Sequence, residues 1–150
     1  MTAPFTIGRR ILWGDSDPAG VIYTPRVFHY AIETVEEWLI SILGHDWMAL
    51  QDDFKLDTPT VKMSCEFLHP LRTGDFVDIS LTVERLGGAS ISYVIDGFNA
   101  DNRHCFRVDQ TSCFVNSEKF EPVRIIDEFR TKIADYQAAC EKQNKEKIDE

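Results

Sequence analysis

Two aspartates stand close together in Trp13-Gly14-Asp15-Ser16-Asp17-Pro18-Ala19-Gly20-Val21-Ile22-Tyr23, a stretch too dense in turn-forming residues for a regular element to cross it. Directly after it, Thr24-Pro25 reads as a helix N-cap followed by proline at the first helical position, where the missing N–H costs nothing. Asp17 is therefore expected beside first-turn amides that lack intrahelical partners and carry the positive end of the helix dipole. A carboxylate in that position can attack a carbonyl carbon, or deprotonate the water that does, while the amides hold the developing oxyanion. An isolated Asp-x-Asp-Pro is usually a turn and nothing more. Asp15 is assigned to that loop-building role; Asp17 is set apart by the complete string and the capped helix behind it.

The remaining reactive side chains form no comparable constellation. Cys65, Cys105, Cys113 and Cys140 are widely spaced without a Cys-x-x-Cys pair, and His29, His45, His69 and His104 include no helical i, i+4 pair. No metal and no cofactor is implied, and buried reduced thiols are expected. A net charge of −9 argues against a nucleic-acid partner, which requires a basic footprint. It leaves room for a phosphate-bearing small ligand held by a local group such as Lys62, Arg72 and Arg85. With no apolar run near the roughly 20 residues that span a bilayer and no apolar stretch at its start, the chain reads as cytoplasmic, without a membrane partner.

The elements that must position Asp17 follow from periodicity. Residues 6 to 13 alternate and predict a first strand. After the Asp17 loop, Ala31, Ile32, Val35, Leu39, Ile42 and Leu43 recur at helical steps, predicting one long helix from Thr24 to near Gly44, a natural left-handed terminator. A connection with a short helical turn around Trp47 to Gln51 leads to a run of two-residue patterns: Val61 to Phe67, Val77 to Val83, Ile91 to Ile95, and Phe106 to Phe114. Pro70 to Asp75, Gly87-Gly88 and Ala100 to Arg103 suit turns between neighbouring antiparallel strands. A short terminal helix with Phe129, Ile133 and Tyr136 at helical spacing is expected from Ile126 to about Gln143, fading into a charged tail. The 150 residues predict a single α+β domain whose small size and exposed sheet edges favour a homodimer or homotetramer.

The string Gly14-Asp15-Ser16-Asp17-Pro18-Ala19-Gly20-Val21-Ile22-Tyr23 followed by a helix closely resembles the entry motif of the hot-dog-fold acyl-CoA thioesterases of the 4-hydroxybenzoyl-CoA thioesterase family. Thr58-Pro59 before a strand, Phe67-x-x-Pro70 leading to Gly74-Asp75, and Arg85-Leu86-Gly87-Gly88-Ala89-Ser90 at a hairpin extend the likeness over roughly residues 5 to 130. The resemblance implies a curved antiparallel sheet wrapped around one long central helix, and hydrolysis of a small aromatic or short-to-medium acyl-CoA. It implies Asp17 as nucleophile or general base, and an oxyanion hole of N–H groups around Tyr23 and Thr24. Gly20 would admit a close backbone approach beside Val21, Thr58 and Pro59 would contribute to substrate binding, Phe67 and His69 would line an acyl pocket, and Arg72 and Arg85 would lie near the pantetheine and nucleotide.

Two departures leave the acyl group open. Members specific for aromatic substrates tend to carry basic residues where this chain has Gly87-Gly88-Ala89, and short-chain members often carry histidine where it has Thr24. Acyl-carrier-protein substrates are disfavoured, because the acidic chain would meet an acidic partner. Two alternatives stand beside hydrolysis: a binding module that holds an acyl-CoA intact, and a hydratase or dehydratase that acts on the acyl chain.

Overall fold

The computed structural model describes residues 2–149. Strand β1 (Phe5–Arg10) leads through a tight turn at Trp13–Asp15 to helix α1 (Thr24–Trp38). One wider helical turn, Leu39–Leu43, extends α1 until Gly44, at φ +80°, closes it by donating its N–H to the carbonyls of Leu39 and Ile40. Helix α2 (Trp47–Phe54), strands β2 (Leu56–Asp57), β3 (Thr60–Phe67), β4 (Phe76–Leu86), β5 (Ser90–Asn99), β6 (His104–Cys113) and β7 (Val115–Asn116), and helix α3 (Asp127–Ile148) follow.

Five strands form one antiparallel sheet in the order β1-β4-β5-β6-β3, while β2 and β7 pair separately. The face of α1 carrying Val27, Tyr30, Ala31, Thr34, Val35 and Trp38 is buried. It packs on the inward positions of the sheet, among them Ile79, Leu81, Ile95 and Val108, all fully buried. Trp38 marks the middle of this core, edge-on to Tyr93 of β5 at 5.4 Å and to Tyr136 of α3 at 5.5 Å. Burying a large apolar side chain stabilises by roughly 1.5–3 kcal/mol, so the α1 stripe alone outweighs the modest helix propensity of its β-branched residues.

Three expectations need correction. The first strand ends at Arg10, and Trp13 belongs to the following turn. Pro70 to Asp75 does not join neighbours: β3 pairs with β6 and β4 with β1, so this segment crosses from one side of the sheet to the other. On the way it passes the Asp17 loop, where Val21 bridges to Arg72 and the Ile22 N–H donates to the Leu71 carbonyl at 2.8 Å. The C-terminal helix is neither short nor frayed into a tail, because β4 overhangs β1. Phe5 pairs with Leu81, leaving the last turn of β4 without a neighbour on that side. Helix α3 covers it: the Tyr136 hydroxyl accepts from the Phe5 N–H at 2.8 Å and donates to the Leu81 carbonyl, and Gln137 donates to the Glu84 carbonyl at 3.1 Å. The overhanging end of β4 is thereby covered. Strand β3 forms an edge of the sheet, and it stays open, with Val61 63% and Phe67 50% exposed.

Candidate active site

Tyr23 is the cap of α1 and Thr24 its first residue, one position earlier than the Thr24-Pro25 pattern suggests. The shift has a cause: the Tyr23 N–H donates to the Asp15 carbonyl at 2.7 Å, which holds Tyr23 in an extended conformation. Its amide is therefore engaged. Pro25 has no N–H, and the Arg26 N–H donates to the Tyr23 carbonyl at 2.9 Å. Among the described residues, the Thr24 N–H is left without a hydrogen-bond partner at the positive end of the helix dipole.

Asp17 lies in a tight loop held from several sides. Its N–H donates to the Val21 carbonyl at 2.9 Å, and its carbonyl accepts the Gly20 N–H at 3.0 Å. Gly20 takes φ +79°, a conformation that a side chain would strain. One carboxylate oxygen, Oδ1, accepts the Ala19 N–H at 2.8 Å, which fixes the rotamer and leaves Oδ2 unpaired among the described residues. Behind the loop, the carboxylate of Asp15 is buried, accepting the Leu12 N–H at 2.9 Å, with Arg26 Nε 3.8 Å away. The nearby Tyr30 hydroxyl is buried without a hydrogen-bond partner. Burial first, and then the neighbouring Asp15 carboxylate, push its pKa up to about 12. Arg9 stacks over the Tyr30 ring at 4.0 Å from its centroid and pairs with Glu33, so that helix carboxylate is committed to a surface ion pair.

Asp17 and Thr24 line one cavity of about 320 Å³. Val21, Ile22 and Val27 form one wall, Phe67 to Leu71 a second, and Cys105 and Phe106 a third. Of the sequence-predicted residues, Asp17, Val21, Thr24, Phe67 and His69 meet here. Gly20 lies on the other side of Asp17, in a second hollow with Trp13, Ser16 and Thr73. Arg72 lines a third, which shares His69 and Pro70 with the first and adds Asn99 and Asp101. The Tyr23 side chain is 53% exposed and lines none of the three.

Three candidates lie elsewhere in the chain. Thr58 is buried, accepting from Trp47 Nε1 at 2.8 Å, and Pro59 precedes the far end of β3 from Phe67. Arg85 sits at the far end of β4, roughly 30 Å along the strand from Phe76. Neither end can reach the Asp17 cavity within one chain. Val27, Leu71, Cys105 and Phe106 were not singled out as pocket residues. Phe106 carried one usable signal, its inward parity on a strand, and burial raises the pKa of the neighbouring Cys105 thiol. Among the described residues, no cluster of three or more His, Cys, Asp or Glu could hold a metal ion, and no helix is long and apolar enough to cross a membrane.

An antiparallel sheet packed against the long helix α1 is the hot-dog arrangement. The chain belongs to the Thioesterase superfamily, whose pattern matches residues 19–106. A 1,4-dihydroxy-2-naphthoyl-CoA hydrolase of Picosynechococcus sp. is 35% identical over 96 residues, covering 63% of this chain and 65% of that protein. The match thus spans just under two thirds of the relative. Among solved structures, a thioesterase superfamily protein from Jannaschia sp. superposes with a TM-score of 0.82 at 28% identity, covering 89% of this chain and 92% of the other. A 1,4-dihydroxy-2-naphthoyl-CoA thioesterase from Synechocystis gives 0.80 at 21% identity, covering 87% and 96%, and shares the fold.

Proposed function

We propose that this chain is a thioesterase that hydrolyses an aromatic acyl-CoA to the free acid and coenzyme A, with Asp17 as its catalytic carboxylate. The observation that carries this reading is that Asp17 and Thr24, whose N–H has no partner among the described residues, line one largely apolar cavity. Family membership supplies the thioester, and the cyanobacterial relative named for 1,4-dihydroxy-2-naphthoyl-CoA supplies the aromatic class. The phenyl groups of Phe67 and Phe106 on the cavity wall suit a flat acyl group.

In this reading the thioester carbonyl accepts the Thr24 N–H, whose dipole-backed charge stabilises the oxyanion. By one route Asp17 Oδ2 attacks the carbonyl carbon, the C–S bond breaks, and the thiolate leaves and takes a proton. Water then hydrolyses the mixed anhydride. By the other, Asp17 removes a proton from a water that attacks directly. Hydrolysis of a single turnover in ¹⁸O-water separates them, because only the anhydride route can leave label in Asp17.

Arg72, in the hollow adjoining His69, is the basic residue placed to meet a pyrophosphate. A homodimer through the open edge of β3 would account for Thr58 and Pro59, though not for Arg85, which lies three strands inward on β4. Two-fold antiparallel pairing would bring the Pro59 end of one copy to the Phe67 end of the other. A cytoplasmic location fits a coenzyme A substrate.

The test compares wild type with Asp17→Asn on 1,4-dihydroxy-2-naphthoyl-, benzoyl- and aliphatic CoA esters, following free thiol. Asparagine keeps an oxygen for the Ala19 N–H, so the loop is retained while kcat falls by about 10²–10⁴. Undiminished turnover by Asp17→Asn would falsify the assignment. Product masses bear on the alternatives: intact ligand recovered after tight binding indicates a binding module, and a hydrated thioester indicates a hydratase.

A further inference from the structure

Gly97 lies on β5, opposite Phe106 of β6, far in sequence from the Asp17 loop. Its φ is not in the left-handed region, so backbone conformation does not demand glycine there. The Phe106 ring does. A Cβ at position 97 would stand 2.3 Å from Cε1, 2.5 Å from Cζ and 2.8 Å from Cδ1 of that ring. The phenyl group therefore lies across the bare backbone of β5, in space that any other residue would occupy.

The ladder shows where the ring would go if it were displaced. Across the sheet, Ile79, Gly97, Phe106 and Phe67 are successive partners in one row. Ile79 is fully buried on one side, and Phe106 itself is 1% exposed. On the other side stands Phe67, and Phe67 and Phe106 both line the Asp17 cavity. Close-packed interiors offer displaced atoms little room except an existing void. A methyl group at position 97 would drive the ring by about 1 Å or more toward Phe67 to restore ordinary carbon–carbon contact, and the cavity is the void that receives it.

We propose that Gly97 is a specificity-determining residue: by letting Phe106 lie back across β5, it keeps the cavity deep enough for a fused-ring aromatic acyl group. The proposal rests on the thioesterase reading and deepens it. Gly97 does not touch substrate and acts through Phe106. Its effect is on the ratio between large and small acyl groups, which distinguishes it from a residue that only supports the fold.

The experiment measures kcat/KM on acetyl-, benzoyl- and 2-naphthoyl-CoA for wild type, Gly97→Ala and Gly97→Ala/Phe106→Leu, with thermal unfolding of each. In Gly97→Ala the naphthoyl-to-acetyl ratio falls roughly tenfold or more, the size expected when an interior is overpacked. In the double variant the ratio recovers, because leucine vacates the space the methyl group takes. An unchanged ratio in folded Gly97→Ala, or a double variant that fails to recover it, overturns the proposal. If Gly97→Ala does not fold, Phe106→Leu alone reads the same floor, and a naphthoyl-to-benzoyl ratio that does not rise refutes it. If wild type hydrolyses none of the esters, the thioesterase reading fails separately. Calorimetry with the non-hydrolysable thioethers naphthacyl-CoA and phenacyl-CoA then decides: selective loss of naphthacyl binding in Gly97→Ala supports the role of Gly97, and equal or absent binding overturns it.

Discussion

Replacing Asp15 by alanine tests whether the Asp17 loop, proposed as catalytic, is held by a buried carboxylate. The Asp15 side chain is 7% exposed and accepts the Leu12 N–H at 2.9 Å, a charge-assisted bond worth about 1.5–3 kcal/mol. Its contact with Arg26 adds little, since that guanidinium is 43% exposed and 3.8 Å away. Asp15→Ala is expected to lose about 2 kcal/mol, lowering Tm by roughly 4–8 °C in a domain of this size. The turn at Trp13–Asp15 then loses the side-chain bond that closes it. Asp17 stands two residues on, and a misplacement of about 1 Å costs on the order of 10²-fold in rate. The expected result is a 10- to 100-fold fall in kcat, by the order of that estimate, with KM little changed. Asp15→Asn can still accept the Leu12 N–H, so it should retain most of the stability and rate. The assays are urea denaturation followed by circular dichroism and free-thiol detection under saturating substrate. Wild-type kcat in folded Asp15→Ala would refute the tether. Equal damage from alanine and asparagine would show that charge, and not the hydrogen bond, holds the loop.

Tyr136→Phe leaves both the Phe5 N–H and the Leu81 carbonyl without their shared partner, and should cost about 2–3 kcal/mol in urea denaturation while kcat is preserved. A loss under 0.5 kcal/mol, below the usual worth of one hydrogen bond, would contradict the role given to α3 in covering the end of β4. Burial raises Tyr30 from 10.0 to about 12 and raises Tyr93 and Tyr136 as well, so the native state favours the protonated phenol. Their contribution is fully present below pH 10 and is lost as pH climbs through 10 toward 12, each tyrosine adding about 1.4 kcal/mol per pH unit to the slope. Denaturation midpoints that stay flat across that alkaline range would count against it. Wild type should sediment as a dimer or larger, and Val61→Lys, which places a charge on the open edge of β3, should shift it toward monomer. A monomeric wild type, or a variant with unchanged mass, would remove β3 as the interface.

The helix and the Asp17 loop were legible because their determinants are local. Thr24-Pro25, the stripe from Ala31 to Leu43 and Gly44 are consecutive signals that tertiary contacts reinforce. Asp17 could be named for the same reason: its bonds to Ala19, Gly20 and Val21 all lie within four residues. Strand existence was also readable from alternation, but strand order was not. Nothing in Pro70 to Asp75 distinguishes a hairpin turn from a crossover, since both need proline, glycine and aspartate, and only pairing with β6 or β1 decides. The length of α3 was underestimated because Cys140 and the polar residues after Tyr136 dilute the helical stripe. What extends it is the overhang of β4, a fact about register that no local pattern contains. Thr58, Pro59 and Arg85 were grouped with the site by likeness of motif, and one chain holds them at the opposite end of the sheet.

The crossover also explains why the Asp17 loop can be so short of regular structure and still be held in place. Residues 68–72 do three things at once: they hug the start of β6 through N–H bonds from Leu68 and His69 to the Cys105 carbonyl, they accept the Ile22 N–H at Leu71, and they wall the cavity. Asp17 is thus fixed relative to the sheet by the same segment that shapes the space before it. Displacement of the Asp17 loop as a whole would break its bond to a segment anchored on the central strands, so the crossover adds to the hold that Asp15 exerts from within the loop. The acyl wall and the carboxylate consequently move as one unit. Substitutions in residues 68–72 should therefore alter kcat and acyl preference together, whereas Gly97, which acts on the wall through Phe106 alone, should alter preference by itself.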